Sequence, residues 1–192
     1  MKSSQQEFEN VQFQKELWIE SDLSHKTFTR STFYHCNFSQ SRFTNARFLE
    51  CKMTASNLSL VQLEGCRLQD CAFENCKFVG VNFAKCDKTF LAMKFKNCLL
   101  ETCNFSDLDL KGTLFLDCQI RDTYFTNTNL TGAVFTGSDL QRSLFHNADL
   151  RKTNFQGAIN YSINPLTNKL LKAKFSNPEA MTLLDHLGIV ID

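Results

Sequence analysis

A repeat of five residues runs through most of this chain. Eighteen of its nineteen phenylalanines fall on one five-residue grid that slips by two residues in the middle. A period of five fits neither the 3.6-residue period of an α-helix nor the two-residue period of a strand. Fixed self-similarity over this length indicates a solenoid. The thirty consecutive apolar grid residues, here called centres, are Phe8, Phe13, Trp18, Leu23, Phe28, Phe33, Phe38, Phe43, Phe48, Met53, Leu58, Leu63, Leu68, Phe73, Phe78 and Phe83 before the slip, and Phe90, Phe95, Leu100, Phe105, Leu110, Phe115, Ile120, Phe125, Leu130, Phe135, Leu140, Phe145, Leu150 and Phe155 after it.

Two further rows accompany the centres. The residue two places before each centre is usually small: Ser, Thr, Ala or Cys. The residue two places after it is often Gly or Asn, and six of the seven glycines lie there. If a turn starts at the centre, this residue is its third member, where a type II turn requires the positive φ that Gly and Asn adopt at least cost. Each unit therefore predicts one side of a square coil, with the centre and the small residue pointing inward.

Four units make a coil of twenty residues, so residues twenty apart are predicted to stack as parallel strands about 4.8 Å apart. From Phe105 to Phe155 the centres alternate between Phe and Leu or Ile, which places Phe on two opposite walls. Thirty units give about seven and a half coils, a rod of roughly 36 Å. No proline precedes Pro165, as a continuous backbone ladder requires. The predicted fold class is all-β, a four-sided parallel β-helix packed too fully to hold an internal ligand.

The five-residue units resemble those of the pentapeptide-repeat family, whose motif is a small residue, Asp or Asn, Leu or Phe, and two polar positions. The segments Cys36–Gln40, Ser138–Arg142 and Ala148–Lys152 match it plainly. The match covers about residues 6–157. This resemblance implies a right-handed quadrilateral β-helix, which we assign to residues 1–157.

The residues that could carry chemistry are occupied by the repeat. All nine cysteines lie in the small inward row, which favours reduced thiols packed as small hydrophobes over disulfides or a zinc site. On this placement Cys76, Cys98 and Cys118 stack in one column. We find no set of nucleophile, base and orienting residue, no phosphate-binding loop and no metal motif. The sequence therefore predicts a protein that is not an enzyme, with no catalytic residue, no metal and no cofactor.

The grid slips at Asp87–Thr89, where seven residues separate Phe83 from Phe90. Two extra residues can leave the coil as a small bulge without changing the order of the walls. This is the simpler interpretation, and a kink or a protrusion that contacts a partner is the alternative. In either case Phe90 is expected to resume the row of inward centres.

Residues 158–192 lack the repeat and are predicted to form a C-terminal cap. Asn177 is expected as the N-cap of a helix over about 178–187, with Pro178 at its first position and Gly188 past its end. A short apolar strand, Ile189–Ile191, closes the chain. The segment could be only a cap over the open end of the solenoid, or a cap that also pairs with a second copy. We favour a two-fold homodimer, with an interface of Met181, Leu183, Leu184, Leu187, Ile189 and Ile191.

This tail also resembles known proteins. Ile163–Pro165, Phe175–Ala180 and Leu183–Val190 are similar to the ends of stand-alone bacterial pentapeptide-repeat proteins, including the Qnr quinolone-resistance proteins and the microcin-immunity type. The resemblance implies a rod-shaped dimer joined through its C-terminal ends. It also implies binding to DNA gyrase or topoisomerase IV as a mimic of duplex DNA, with protection from quinolones or a gyrase poison. The long loops that many Qnr-type proteins insert between coils are missing here.

Charge bears on this function, because a DNA mimic should present carboxylates where DNA presents phosphates. The formal net charge is +1, yet residues 101–149 carry seven acids against three bases, and residues 26–52 carry five bases against one acid. An acidic surface that fits a basic enzyme groove and a scatter of surface charge are both compatible with this pattern. The alternative function is a structural scaffold that binds another cytoplasmic protein. The candidate partner-binding residues are Glu101, Asp107, Asp109, Asp117, Asp122, Asp139 and Asp149.

Other interaction classes are not expected. Direct nucleic-acid binding is disfavoured because only Tyr34 and Tyr124 interrupt the exposed rows with aromatic rings and because total charge is near neutral. The sequence shows neither a basic segment followed by an apolar signal region nor a long apolar span. A cytoplasmic protein without a membrane segment is the expectation.

Overall fold

The chain winds into stacked coils built from very short strands. The computed structural model describes residues 6–189. Most strands have three residues with the middle one buried, because alternate side chains point to opposite faces. In Glu7–Glu9, for example, Phe8 is buried between two exposed glutamates. The strands are β1 Glu7–Glu9, β2 Gln12–Gln14, β3 Thr27–Thr29, β4 Thr32–Tyr34, β5 Arg47–Leu49, β6 Lys52–Thr54, β7 Arg67–Gln69, β8 Cys71–Glu74, β9 Lys77–Val79, β10 Met93–Lys96, β11 Leu99–Glu101, β12 Leu114–Leu116, β13 Gln119–Arg121, β14 Leu144–Phe145 and β15 Ser162–Ile163.

The strands form four walls, numbered here in chain order from the centres Phe8, Phe13, Trp18 and Leu23. Wall 1 holds β1-β3-β5-β7, wall 2 holds β2-β4-β6-β8-β10-β12, wall 3 holds β9-β11-β13 and wall 4 holds β14-β15. All pairs are parallel. Partners are twenty residues apart, as in Phe8↔Phe28, twenty-two apart across the slip, as in Phe73↔Phe95, and eighteen apart in the β14–β15 pair, as in Phe145↔Ile163. Isolated parallel bridges continue the ladders between named strands. The predicted twenty-residue coil is confirmed.

The turn residue two places after each centre has the backbone conformation that the sequence predicts. From Asn10 to Gly157, φ is positive at every such position except Lys85 and Ala92, which flank the slip. Lys85 instead ends a 3₁₀ turn, Phe83–Lys85. Positive φ costs about 1 kcal/mol for residues with a side chain, so Gly and Asn are favoured there. The repeat imposes the same conformation on residues as unsuited to it as Leu60.

The two positions before each centre also have specific hydrogen-bonding roles. Where Asp or Asn precedes the centre, its side chain commonly accepts a hydrogen bond from the backbone N–H two residues on, as Asn37 does from Ser39 at 3.0 Å. Ser, Thr and Cys of the small row donate to the carbonyl of a centre one coil earlier, as Ser138 Oγ does to Phe115 O at 2.8 Å. These bonds compensate polar groups inside the coil, where an unpaired donor or acceptor is costly.

The core consists of two opposite stacks of phenylalanine that meet edge to face. The Phe115 ring is nearly parallel to those of Phe95 and Phe135 on wall 2, with centroids 5.2 and 4.8 Å away. It meets Phe105 and Phe125 of wall 4 at steep angles, with centroids 5.8 and 6.0 Å away. Offset and edge-to-face rings add about 0.5–1.5 kcal/mol per pair beyond burial. The predicted placement of Phe on opposite walls is confirmed.

The cysteines occupy the inward positions that the repeat predicts for them. All nine are free and buried. Cys76, Cys98 and Cys118 lie in one column, as their spacing predicts, because Leu99 N donates to Cys76 O at 3.0 Å and Gln119 N donates to Cys98 O at 2.9 Å. Burial raises the pKa of Cys51 to about 11 and that of Cys103 to about 12. The thiols of Cys51 and Cys103 are therefore protonated at neutral pH and are poor nucleophiles.

The prediction for Phe90 is wrong. Its φ is +56° and its side chain is 68% exposed, whereas Leu91 packs against the core. The ladder resumes only when Ala92 N donates to Leu68 O at 3.0 Å. The two extra residues shift the phase so that the next residue, rather than the phenylalanine on the grid, faces inward.

The coil continues beyond residue 157, where we placed the end of the repeat. Asp149↔Lys169 and Asn154↔Lys174 extend the ladder, and Phe175, the one phenylalanine off the consecutive grid, stacks on Phe155 at 5.1 Å. Wall 2 thus has nine stacked levels from Phe13 to Phe175, or eight steps and about 38 Å.

A helix covers this last coil. It is a 3₁₀ helix, Glu179–Leu187, with Pro178 rather than Asn177 at the N-cap and Gly188 in the left-handed conformation after its end. Leu183 packs against the core, and Thr182 Oγ1 donates to Tyr161 O at 3.4 Å. In the predicted closing strand, Ile189 is exposed and outside any strand, while Val190 and Ile191 lie outside the described residues. Within the described part of the chain, no helix combines the length and apolar character needed to cross a bilayer.

Candidate partner-binding surfaces

The seven acids divide between opposite walls. Glu101 and Asp139 lie on wall 3, with Asp117 and Asp122 at the two corners beside it. We call these four the wall 3 group. Asp107 lies at the corner between walls 4 and 1, and Asp109 and Asp149 lie on wall 1; these three are the wall 1 group. The fold therefore brings the candidate residues into two surfaces rather than one strip.

Arginines balance half of the wall 3 group. Arg142 pairs with Asp122 at 2.6 Å, and Arg121 pairs with Asp139 at 3.0 Å. The hydrogen bond from Arg142 lowers the pKa of Asp122. Burial opposes ionisation of Asp139, but hydrogen bonds from Asn160 and Arg121 outweigh it and lower the pKa of that carboxyl. Both acids are ionised at neutral pH, and a cation compensates each of them.

Glu101 and Asp117 differ from these two. Neither makes an ion pair with any described residue. Asp117 is exposed, and its Oδ1 lies over Gly137, where a Cβ atom would come within 2.2 Å. Glu101 is half-buried on the flat of wall 3. Among the described residues, these two are the carboxylates of the wall 3 group that lack a salt bridge, although Glu101 lies opposite Arg121 in the wall 3 ladder.

The wall 1 group is tied into ladders of polar side chains. Asn127 donates to Asp107 at 3.0 Å and Asn129 donates to Asp109 at 2.9 Å, each from the coil below. Asp149 pairs with Arg151 at 2.6 Å. These acids therefore have structural roles that leave them less free for a partner.

The basic segment is also partly balanced. Arg30 pairs with Glu9, and Arg42 with Asp22 at 3.5 Å, so acids of the first coil compensate bases of the second. Sequence reasoning missed these pairs, although Asp22 and Arg42, like Asp122 and Arg142, are twenty residues apart. That spacing was the available signal.

The C-terminal end of the rod exposes apolar side chains. Of the predicted interface, Met181, Leu187 and Ile189 are exposed, Leu184 is half-buried and Leu183 contacts the core; Ile191 lies outside the described residues. Sequence reasoning missed Leu166 and Leu171, which are exposed in the last coil. We call the exposed set the C-terminal apolar face: Leu166, Leu171, Met181, Leu187 and Ile189.

Few groups on the described surface have the arrangement of a catalytic centre. Ser162 Oγ and His186 Nε2 lie 3.2 Å apart, but Ser162 is exposed, His186 is half-buried, and no carboxylate is hydrogen-bonded to that histidine among residues 6–189. The same residues contain no group of three or more His, Cys, Asp or Glu side chains able to hold a metal ion.

The comparison with protein families agrees with the observed coil. The family described as the pentapeptide repeat region matches residues 26–101 and 88–162. This chain belongs to the pentapeptide-repeat family. The small residue and the Asp or Asn of the pentapeptide motif are the two hydrogen-bonding positions before each centre, and the Leu or Phe of the motif is the centre.

Solved structures of pentapeptide-repeat proteins share the fold. A trypsin-treated variant of QnrB1, a plasmid-mediated fluoroquinolone resistance protein, matches with a TM-score of 0.58 and 19% identity over 97% of this chain and 90% of that chain. Full-length QnrB1 matches with a TM-score of 0.51 and 19% identity over 95% of this chain and 100% of that chain. At this identity the likeness establishes the fold. No curated protein shows significant sequence similarity to the chain.

Proposed function

We propose that this pentapeptide-repeat protein is a non-enzymatic mimic of DNA that binds DNA gyrase or topoisomerase IV and modulates the enzyme or protects it from quinolones or gyrase poisons. The observation that supports this most is the match of nearly the whole rod to a fluoroquinolone resistance protein. The contact surface in this proposal is the wall 3 group.

The density of acids bears on the proposal. Residues 101–149 span about two and a half coils, or roughly 12 Å of the axis. Duplex DNA carries about one charge per 1.7 Å, and hence about seven over that length. The wall 3 group places four acids on one side of the rod over that length, and Arg121 and Arg142 pair with two of them. Because Glu101 and Asp117 make no salt bridge with a described residue, we expect them to contribute most of the attraction to a basic groove.

The second part of the proposal is a homodimer joined through the C-terminal apolar face. Pairing would bury leucine, methionine and isoleucine side chains that otherwise contact water, at about 25 cal/mol per Å². It would also place the wall 3 groups of two copies on either side of the two-fold axis, which doubles the length of the acidic surface. Such an isologous arrangement is the most common form of oligomer.

A supercoiling assay tests the proposed target. Gyrase activity is measured against increasing protein, with and without a quinolone, and we expect inhibition or drug protection at micromolar concentration. The double substitution Glu101→Gln with Asp117→Asn should weaken the effect about tenfold. The matched control, Glu20→Gln with Glu50→Gln, removes the same charge from exposed corners of the first coils and should change little. Equal losses in the two variants, or no effect of the unmodified protein, would overturn the proposal.

Light scattering coupled to size exclusion tests the dimer. Met181→Lys with Leu187→Lys should give a monomer, because two charges would have to be buried in the interface. Leu17→Lys, which alters a more exposed leucine at the other end of the rod, should remain a dimer. A monomeric unmodified protein would refute this part alone.

One observation favours a second candidate, a scaffold that binds another cytoplasmic protein. The Arg121–Asp139 and Arg142–Asp122 pairs break the acidic surface into a patchwork, which suits a specific protein partner better than a uniform phosphate mimic. On this alternative, gyrase activity is unaffected by the protein, and the arginine substitutions Arg121→Gln and Arg142→Gln leave gyrase unaffected as well. On the mimic hypothesis the same substitutions unmask two carboxylates and strengthen inhibition.

A further inference from the structure

The slip presents an aromatic side chain to solvent. Phe90 is 68% exposed at a corner of the rod, with φ at +56°. A left-handed backbone costs a residue with a side chain about 1 kcal/mol, and an exposed phenylalanine gains nothing from burial. Large exposed aromatics in strained backbone are typical of contact sites rather than of structural posts.

The segment before Phe90 is anchored by Asp87 and Lys88, and Ala92 N resumes the backbone ladder after it. Asp87 Oδ2 accepts from Arg67 Nε and Nη2 at 3.0 and 2.8 Å, and Asp87 Oδ1 accepts from Thr89 N at 2.9 Å. The N–H of Thr89 is the largest cause that lowers the pKa of Asp87 to about 2, so this anchor is ionised at any physiological pH. Lys88 Nζ donates to Asp107 O at 3.0 Å. A fixed aromatic side chain loses little entropy when a partner covers it.

An apolar groove begins just after Phe90 along the chain. A crevice of about 130 Å³ is lined by residues that include Ala92 and Lys94. Lys94 also lines a groove of about 240 Å³ on wall 2, which exists because Ala72 interrupts a row of longer side chains. Leu114 and Leu116 form its apolar lower part. The surface formed by Phe90, Ala92 and this groove is here called the slip surface.

The rim of the slip surface has a positive excess. Lys52 is paired with Glu74 at 2.9 Å, while Lys94 and Lys96 are exposed and make no ion pair with a described residue. Asp70 also lines the crevice. The lysines at positions 52, 94 and 96, together with Lys88 at the corner, carry four positive charges, and Glu74 and Asp70 carry two negative charges. Two net positive charges therefore lie beside the apolar groove. This complements a ligand that is apolar at its centre and acidic at its edges.

We propose that the slip surface is a second protein-binding site, which takes an acidic segment of a partner protein with one large apolar side chain seated in the wall 2 groove and a second packed on the exposed ring of Phe90. The groove is smaller than the roughly 300–1,000 Å³ of small-molecule sites, but it can hold one such side chain. The lysines would pair with flanking carboxylates. The site is separate from the wall 3 group, and it stands whether or not the proposed topoisomerase target is correct.

A defined peptide tests the proposal. The probe is a fluorescein-labelled octapeptide, Glu-Asp-Glu-Leu-Phe-Asp-Glu-Asp, with binding to the full chain followed by fluorescence anisotropy. We expect micromolar binding, weakened about tenfold by Phe90→Ala and by Lys94→Glu with Lys96→Glu. Tyr124→Ala and Lys111→Glu with Lys152→Glu alter an exposed ring and two lysines on other surfaces and should bind as the unmodified protein does. Far-UV circular dichroism of each variant confirms an intact coil.

Several results would overturn this inference. Absence of binding at millimolar peptide excludes an acidic segment as the occupant. Equal binding of a peptide with Ser in place of Leu and Phe shows that charge alone is recognised, and equal binding of a peptide with Lys in place of the acids shows that charge is not. Self-association that Phe90→Ala abolishes identifies a second copy as the occupant instead.

Discussion

Phe90 and Phe95 are consecutive centres of the five-residue grid. Replacing each by alanine tests whether burial follows the sequence repeat or the observed structure. Phe95 is 1% exposed, and its ring lies between those of Phe73 and Phe115 with both centroids 5.2 Å away. Phe90 is 68% exposed and contacts none of these rings. The periodicity alone predicts that the two substitutions lower the free energy of unfolding equally, whereas the structure predicts very different losses.

The magnitude for Phe95→Ala follows from its surroundings. Loss of a fully buried phenylalanine side chain removes about 1.5–3 kcal/mol of transfer free energy, and its two stacked neighbours lose about 0.5–1.5 kcal/mol each. Because the backbone ladders above and below prevent the coil from collapsing, the cavity persists. The free energy of unfolding should fall by about 3–5 kcal/mol. Phe90→Ala removes a ring that is already in water, so the change should stay within about 0.5 kcal/mol.

Unfolding in guanidinium chloride measures both effects. Far-UV circular dichroism reports the whole coil, and fluorescence of Trp18 reports its N-terminal end, so the pair reveals any loss of cooperativity along the solenoid. With an m-value of about 4 kcal/mol per M, Phe95→Ala should lower the midpoint by about 1 M. Phe95→Leu, which keeps an apolar side chain in place, should lower it much less.

Equal midpoints for Phe90→Ala and Phe95→Ala would refute this reasoning, because they would place Phe90 in the core. A large loss of stability in Phe90→Ala with a small loss in Leu91→Ala would show that Phe90, rather than Leu91, faces inward, as the sequence repeat predicts.

Three further outcomes follow from the turns, the hydrogen-bonding posts and the thiols. Gly112→Ala should cost only the roughly 1 kcal/mol of a left-handed alanine, because nothing lies within 4 Å of the new Cβ. Gly137→Ala should cost slightly more, because its new Cβ would lie 2.2 Å from Asp117 Oδ1 and the exposed carboxylate must rotate away. Thermal unfolding compares the two variants. Asn57→Ala removes the acceptor of a backbone N–H at 3.1 Å and should cost about 1–2 kcal/mol by chemical denaturation. Burial raises the pKa of Cys51 to about 11 and of Cys103 to about 12, whereas unfolded thiols ionise at about 8.5. The contribution of these two thiols to stability should therefore be constant below about pH 8.5 and be lost between about pH 9 and 12. A lower denaturation midpoint at about pH 10.5 than at about pH 8 would show this loss, and equal midpoints would contradict the burial.

Much of the fold was predictable because the repeat leaves few choices. A centre every fifth residue, with a small residue two before it and a turn residue two after it, specifies which side chains point inward and which backbone positions have positive φ. Phe115 and its neighbours show this directly, since wall and stacking partner follow from residue number alone. The column of Cys76, Cys98 and Cys118 follows in the same way.

The candidate sites were less predictable, because they depend on the outward side chains, which the repeat does not restrict. Counting acids over residues 101–149 gave a net charge but no surface. The coil then placed Glu101 and Asp109 on opposite walls and gave Asp139 an arginine from the previous coil at 3.0 Å. Linear charge and surface charge differ because a four-sided coil distributes consecutive residues around its whole perimeter.

The sequence by itself determined the coil, its walls and the posts of nearly every Phe, Gly and Cys, because burial of a repeated apolar row has one regular solution. Only the tertiary structure decided how the two extra residues are accommodated, with Leu91 inward and Phe90 outward, since a period carries no information about phase within an insertion. It also decided that the ladder continues to Phe175. Asn160 and Pro165 interrupt the apolar grid there, but Tyr161 and Ile163 are buried in the core in their place. The surfaces left for partners are therefore set by these local departures from the repeat.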